Sequence, residues 1–416
     1  MVVLYTVPFV RCAMFVKVGD FAPIVNPGII GMSQLAKIFP LPVVQQVLEN
    51  LGKYTCRLRE LPNEMMVYFP MMMAFNRDDS ASETLRRLLE GHESVFGRRT
   101  ERVTGKGGIS NARIRVGSEP LKQVFEKLCR PLVQDQTAFS HHDGLRLTAL
   151  DGVLLNVPDT QRNSDFFGRP TNQTETVGSY PKCRAVALVE CGTHAVFATK
   201  IGRYLDSEVK LAKDILPSLN ENMLVIADRL FFGWELFNAV RDTGAKILWR
   251  VKEVDRDKFE LGERLPDGSY PAIYHAPSSL VSRSPKGTVF NSIPVRVCSY
   301  NVEGAKKEDI HIVTTLQDHE RSPATKLAEL YMQRWEIELV FREMKVELNK
   351  NAAALRSGTP DLILQELYGL LMTHYAIRSL IYEAASRGKL DPDVISFKGT
   401  VRAILRKSQK GGDFPP

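Results

Sequence analysis

Several things that would mark a small-ligand or membrane protein are missing from this 416-residue chain. Its six cysteines (Cys12, Cys56, Cys129, Cys183, Cys191 and Cys298) show no Cys-x2-Cys spacing, which excludes a zinc ribbon and a disulfide framework and fits a reducing cytoplasm. The eight histidines lack metal-ligand spacing; His141 and His142 are adjacent and read as loop residues. There is no Gly-x4-Gly-Lys-Ser/Thr loop, so no nucleotide cofactor is expected. Neither apolar run fits a membrane. Residues 1–10 are too short, and residues 65–75 carry Pro70 and read as core. Internal repeats and low-complexity tracts are absent. What remains is a globular composition, 44% hydrophobic and 25% charged, long enough for two or three domains.

The net charge of +7 is a moderate basic excess, unevenly spread. From Arg86 to Arg130 eleven Lys and Arg face five Asp and Glu, and Arg402, Arg406, Lys407 and Lys410 follow near the end. Concentration of one sign in particular segments favours a polyanionic partner.

The period of the apolar residues divides the chain. Residues 1–30 read as an irregular leader or a mis-assigned start, with Met14 or Met32 as the alternative beginning. Residues 31–140 have helical spacing, as at 43–51, 82–89 and 121–128. Within them the basic turn from Thr104 leads into a helix that Ser110 would cap. Its Arg113 and Arg115 suit either a DNA groove or a solvated surface. At Leu145 the pattern becomes that of strands. Residues 145–157 read as strand, Asp151-Gly152 turn or bulge, and second strand; 184–189 and 194–201 as a hairpin; 223–227 as a strand buried on both faces. Helices at 207–215 and 234–242 alternate with these, and a strand follows at 245–251. Residues 252–302, rich in Gly, Pro and Ser, read as an inserted β region. The alternation resumes over 303–385, and 386–416 is a basic tail that looks truncated. The predicted fold is α/β: a ribonuclease H-like catalytic core (141–251 and 303–385) with a β-rich insertion, preceded by an all-α N-terminal DNA-binding domain.

The stretch Tyr331-Met-Gln-Arg334-Trp-Glu-Ile-Glu338-Leu-Val-Phe-Arg342-Glu-Met-Lys345 is the most informative. It has no Gly or Pro and predicts one helix of about fifteen residues. At about 100° per residue from Tyr331, Arg334, Lys345 and Glu338 fall at about 300°, 320° and 340°. Ile337, Val340 and Met344 fall on the opposite side. One face then offers a carboxylate among cations and a phenol, which suits a metal ion facing a phosphodiester. A surface helix laced with charges is the alternative.

The full series Tyr-x2-Arg-x3-Glu-x6-Lys, with its Arg-Trp-x-Ile-Glu core, resembles the signature of the insertion-sequence-four family of bacterial DDE transposases. Ala149-Leu-Asp151-Gly152, with Pro158-Asp159-Thr160 and Asn163, resembles that family's first-aspartate region. Ala227-Asp228-Arg229-x-Phe231 resembles the second, with Leu230 where Gly is usual. Leu61-Pro-Asn-Glu64 carries a looser likeness to the family's N-terminal domain. The resemblance implies Asp151, Asp228 and Glu338 as catalytic metal ligands, Asp143 and Asp159 being the competing first carboxylates. It further implies phosphate contacts from Tyr331, Arg334 and Lys345, with Arg229 and Arg342 as weaker candidates. The cofactor would be two Mg2+ or Mn2+ ions. The partners would be double-stranded DNA, as terminal inverted repeats and target, and a second copy in a homodimer, in a cytoplasmic, nucleoid-associated setting. The expected activity is cut-and-paste transposition; a nuclease without strand transfer and a decayed DNA-binding relic are the alternatives. No Trp lies in the inserted β region, Trp249 preceding it and Trp335 standing in the signature helix, so a DNA hairpin step stays open.

Overall fold

A computed structural model of the chain describes residues 2–4, 32–54, 60–96, 105–170, 178, 180–255, 257–302 and 310–409. Most of the leader, the basic run 97–104 and residues 410–416 lie outside the described residues. Strand β1 (Val2–Leu4) is followed by helices α1 (Met32–Ile38), α2 (Leu41–Asn50), α3 (Asn63–Phe75), α4 (Ala81–Phe96), α5 (Lys106–Val116) and α6 (Glu119–Leu128). Helix α3 is the run with Pro70, and nearly every residue of it is buried. A proline in a helix costs a backbone hydrogen bond and crowds the carbonyl four residues earlier. Here the surrounding protein overrides that cost. Pro70 lies against Gly369, where a Cβ would come within 2.6 Å of the Pro70 backbone.

Neither reading of the basic helix, DNA groove or solvated surface, describes its two arginines. Helix α5 starts at Lys106, so Ser110 lies inside it and caps nothing. Arg113 is buried, bonding Ser357, Gln365 and the Leu362 carbonyl, while Arg115 bonds Asn63 and the Leu61 carbonyl. Both arginines satisfy polar groups inside the protein.

The rest is one sheet covered on both faces. It comprises β2 (His141–His142), β3 (Leu145–Asn156), β4 (Lys182–Glu190), β5 (Ala195–Arg203), β6 (Met223–Ala227), β7 (Lys246–Val251), β8 (Phe259–Leu261), β9 (Tyr270–Tyr274), β10 (Ile293–Val302) and β11 (Ile310–Thr314). The order is β5-β4-β3-β6-β7-β11-β10-β9-β8, with β2 on β3 and β1 on β10. Strands β3, β4 and β5 are antiparallel; β3, β6 and β7 are parallel, which requires the crossovers α8 (Glu208–Ile215) and α9 (Trp234–Asp242). The β strands of 252–302 continue this sheet beyond β11. Helices α7 (Gln161–Phe167) and α10 (Ser278–Val281) are short connections, and His141 and His142 form a strand where a loop is expected.

Residues 145–157 also differ from the strand-turn-strand expectation. Strand β3 runs unbroken through Asp151 and Gly152, which pair with Ala187 and Val186. The glycine serves close approach rather than a turn, because a Cβ there would meet the Glu208 carboxyl at 2.7 Å. One sheet face packs on α8 and α9; the other carries α11 (Ala324–Met332), α12 (Trp335–Arg342), α13 (Pro360–Gly388) and, through α13, the N-terminal helices and α14 (Phe397–Gln409). Among the described residues no helix is long and apolar enough to cross a membrane.

Candidate active site

Strand alternation decides where the carboxylates point. Ala149 and Val153 belong to the core on the α12 side and Leu150 to the opposite one, so Asp151 faces α12. On β6, Ile226 faces α12 and Ala227 faces away, and continuing that alternation puts Asp228 on the α12 side. The parallel ladder ends at Leu150 opposite Ala227, so its next pair is Asp151 with Asp228, on strands about 5 Å apart. Glu338 descends from α12, whose Ile337, Val340 and Phe341 are packed in the core. Arg334 joins the two sides: Nη2 lies 2.9 Å from Glu338 Oε1 and Nη1 lies 3.5 Å from Asp151 Oδ2.

The electrostatics follow from this crowding. Burial pushes the Asp151 carboxyl up to about 6; the Gly152 N–H and Arg334 oppose the rise, while Asp228 and Glu208 add to it. Burial likewise raises the Tyr331 phenol, against Arg334 and Arg250. Burial also works against the Arg334 cation, yet Tyr331, Glu338 and Asp151 outweigh it and raise its pKa. The Asp228 carboxylate accepts the Leu230 N–H at 2.9 Å, and Arg229 and Leu230 are exposed. Asp143 pairs with Arg321 in a turn and Asp159 pairs with Arg169, so both have cationic partners of their own.

The signature segment is not one uniform helix. The N–H groups of Gln333, Arg334, Glu336 and Ile337 bond carbonyls three residues back, tightening the chain between α11 and α12. After α12 the chain widens into a π-helical turn, Glu343–Leu348. These changes of pitch shift the phase. Tyr331, Arg334 and Glu338 stay together, while burial and the like charge of Lys182 on β4 lower the pKa of Lys345. Lys182 is five residues along β4 from Ala187, the partner of Asp151, about 17 Å away. Arg342 is exposed, and Trp335 is 54% exposed with the Arg334 guanidinium 5.7 Å from its ring centre.

The model of the transposase DDE domain matches residues 142–375, and that of the insertion element 4 transposase N-terminal region matches residues 30–126. The chain belongs to the insertion-element-4 family of DDE transposases. Similarity extends to the transposase InsG of insertion sequence element IS4 from Escherichia coli K12, 28% identical over 88% of this chain and 80% of InsG. The putative transposase InsZ of the same organism is 24% identical over 64% of this chain and 90% of its own. Among solved structures, the piggyBac transposase synaptic complex with hairpin DNA aligns over 93% of this chain and 82% of that one, at 13% identity and a TM-score of 0.46. The transposase is thus an enzyme that cleaves DNA and transfers strands, and its DDE domain implies dependence on a divalent metal.

Two sets of residues around this site escaped sequence reasoning. Glu208 becomes a neighbour of Asp151 only through the α8 crossover, and Lys182 comes within electrostatic reach of Lys345 only through the β3–β4 pairing. Behind α12, His194, Glu336 and Asp393 bring ligand-type atoms within 4.8 Å of one another. Burial pushes the Glu336 carboxyl up to about 7, with His194 opposing. Glu343, against which burial also works, is held well below the usual range by Arg378, His194 and His374. No spacing signals this network.

Proposed function

We propose that Asp151, Asp228 and Glu338 are the catalytic carboxylates of this transposase, on a ribonuclease H-like core whose β-rich 252–302 segment extends the sheet. One observation carries the proposal: Arg334 reaches both Asp151 and Glu338, while the β3–β6 register sets Asp228 level with Asp151. The donor set fits hard divalent cations, being all carboxylate oxygen, and burial with the neighbouring Asp228 and Glu208 raises the Asp151 pKa despite Arg334. Two Mg2+ ions held here would activate the attacking oxygen and stabilise the leaving 3′-oxygen.

The chain's own residues supply the rest. Asp151 and Asp228, on adjacent strands, form a rigid floor, and Glu338 closes the site from the helix side. Arg334 balances the carboxylates and offers a forked donor for a phosphate. The Tyr331 hydroxyl and the exposed Arg229 and Arg342 extend the phosphate contacts, and Lys345 with Lys182 holds the backbone farther along the duplex. The helices of 31–140 carry the DNA-end contacts, in a homodimer acting on inverted repeats in the cytoplasm.

Asp151→Asn, Asp228→Asn and Glu338→Gln should each lower Mg2+-dependent cleavage of the gene's own flanking repeat by on the order of a thousandfold. End binding should stay within a few fold. Near-normal cleavage by any of the three removes that residue from the site. Pre-cleaved ends supplied with target DNA test joining separately, and cutting without joining would favour the nuclease reading.

A further inference from the structure

Helix α12, which carries Glu338, is anchored at both ends by acidic side chains that face away from the active site. At its start, Glu336 accepts the Gly192 N–H in the turn between β4 and β5 and lies 3.6 Å from His194 Nε2. At its end, Glu343 pairs with Arg378 and accepts from His374 at 2.8 Å, both on α13. His194 joins the two anchors. Its Nδ1 meets Arg378 Nη2, and its Nε2 lies 3.4 Å from Asp393 Oδ1 in the turn after α13. His194 is only 2% exposed, and Nε2 has no well-formed hydrogen bond.

A guanidinium only donates, so the tautomer that suits this contact accepts at Nδ1 and carries its proton on Nε2. That argues against a metal ion among His194, Glu336 and Asp393, because Nε2 has no free lone pair while Arg378 occupies Nδ1. The N–H instead sits between two carboxylates from different elements. The two anchors coincide with the places where the helix departs from α geometry, the tightened turn before α12 and the π-helical turn after it. Pitch changes of this kind persist where the surroundings impose them.

We propose that His194 is a positioning residue for the transposition chemistry: bridging Glu336, Asp393 and Arg378, it fixes the phase of α12 and so the place of the Glu338 carboxylate. This rests on Glu338 being a catalytic carboxylate. The consequence is specific: loosening the bridge weakens productive metal use without touching the DNA-binding surface.

The test is the Mg2+ dependence of end cleavage by the full-length protein. His194 has φ 60°, a left-handed conformation that Asn and Asp tolerate best. His194→Asn therefore keeps the backbone but cannot reach the carboxylates, whereas His194→Gln puts an amide N–H near the Nε2 position and its oxygen near Arg378. His194→Asn should raise the half-saturating Mg2+ concentration by about tenfold, the cost of a sub-ångström misplacement, with end affinity within twofold. His194→Gln should recover most of it. Asp393→Ala, at a partly exposed turn that cannot threaten the fold, should shift the same value in the same direction by a smaller factor. Unchanged Mg2+ dependence in a folded His194→Asn protein, or in Asp393→Ala where that protein does not fold, overturns the proposal. Glu338→Gln run alongside separates the two claims: cleavage by that variant defeats the active-site reading instead. Calorimetric titration of the Asp228→Asn/Glu338→Gln double variant with Zn2+ decides the remaining alternative. One ion per chain, lost on adding His194→Gln, would make the cluster a metal site and overturn the proton bridge.

Discussion

Asp151 and Glu343 lie on opposite sides of α12 with nearly equal burial, their side chains 16% and 13% exposed, yet their acidities move in opposite directions. Asp151 is pushed up to about 6, and Glu343 is held well below the ordinary range. Burial raises both, so the difference lies in the company each keeps. Glu343 faces Arg378, His374 and His194 with no competing carboxylate among them. Asp151 shares one arginine with Glu338 and stands beside Asp228 and Glu208. On one side the Glu343 carboxylate is matched by the Arg378 cation; on the other Asp151 is short of positive charge. A site that must admit a cation has to be left short in this way, and the helix between has to be held from its other side.

The strongest way to break the comparison is to remove the cation from the Glu343 side. Arg378→Ala leaves Glu343 buried without its ion partner, and losing one member of such a pair costs about 3–5 kcal/mol. Chemical denaturation should show that loss with or without Mg2+. A loss below about 1 kcal/mol would mean that water replaces the guanidinium beside Glu343.

Removing charge from the Asp151 side should do the reverse. With its carboxyl raised from 3.8 to about 6, the folded protein keeps a proton that the unfolded chain has released. Stability therefore falls as pH rises through that window, and the deficit is complete above it. Asp151→Asn imitates the protonated form, so in metal-free buffer at pH 7.5 it should stabilise the protein by up to about 3 kcal/mol. Adding Mg2+ should raise the thermal midpoint of the natural protein and leave the variant nearly unmoved. Equal midpoints in metal-free buffer would show that Arg334 already balances the site.

These two sides were unequally legible in the sequence. Asp228 follows a short apolar run, and Glu338 stands in a signature whose spacing survives the structure from Tyr331 to Glu338. Both are local patterns, and the buried strand Met223–Ala227 and helix Trp234–Asp242 were readable for the same reason. Asp151-Gly152 misled because the pair is common in turns; that the glycine makes room for Glu208 depends on a helix more than fifty residues later. The network on the Glu343 side was invisible, since His194, Glu336, Arg378 and Asp393 come from four separate segments and none has a revealing neighbour. Arg113 shows the opposite error. Its basic context left DNA or solvent as the readings, while its contacts on α13 lie about 250 residues away, beyond any local pattern.

Lys345 gives the smallest effect and the finest resolution. A uniform helix puts it with Tyr331, Arg334 and Glu338, whereas the tightened and π-helical turns shift its phase and it feels the charge of Lys182, near the far end of β4. If it serves the Asp151 side only as a distant phosphate contact, Lys345→Ala should weaken DNA binding by well under tenfold and lower the salt-dependence slope by about one. Lys182→Ala should do the same, and cleavage of saturating DNA should be unchanged in both. A fall in that cleavage rate for Lys345→Ala alone would mean that DNA draws the lysine back toward Glu338. The π-helical turn would then be a feature of the free protein that straightens on the substrate.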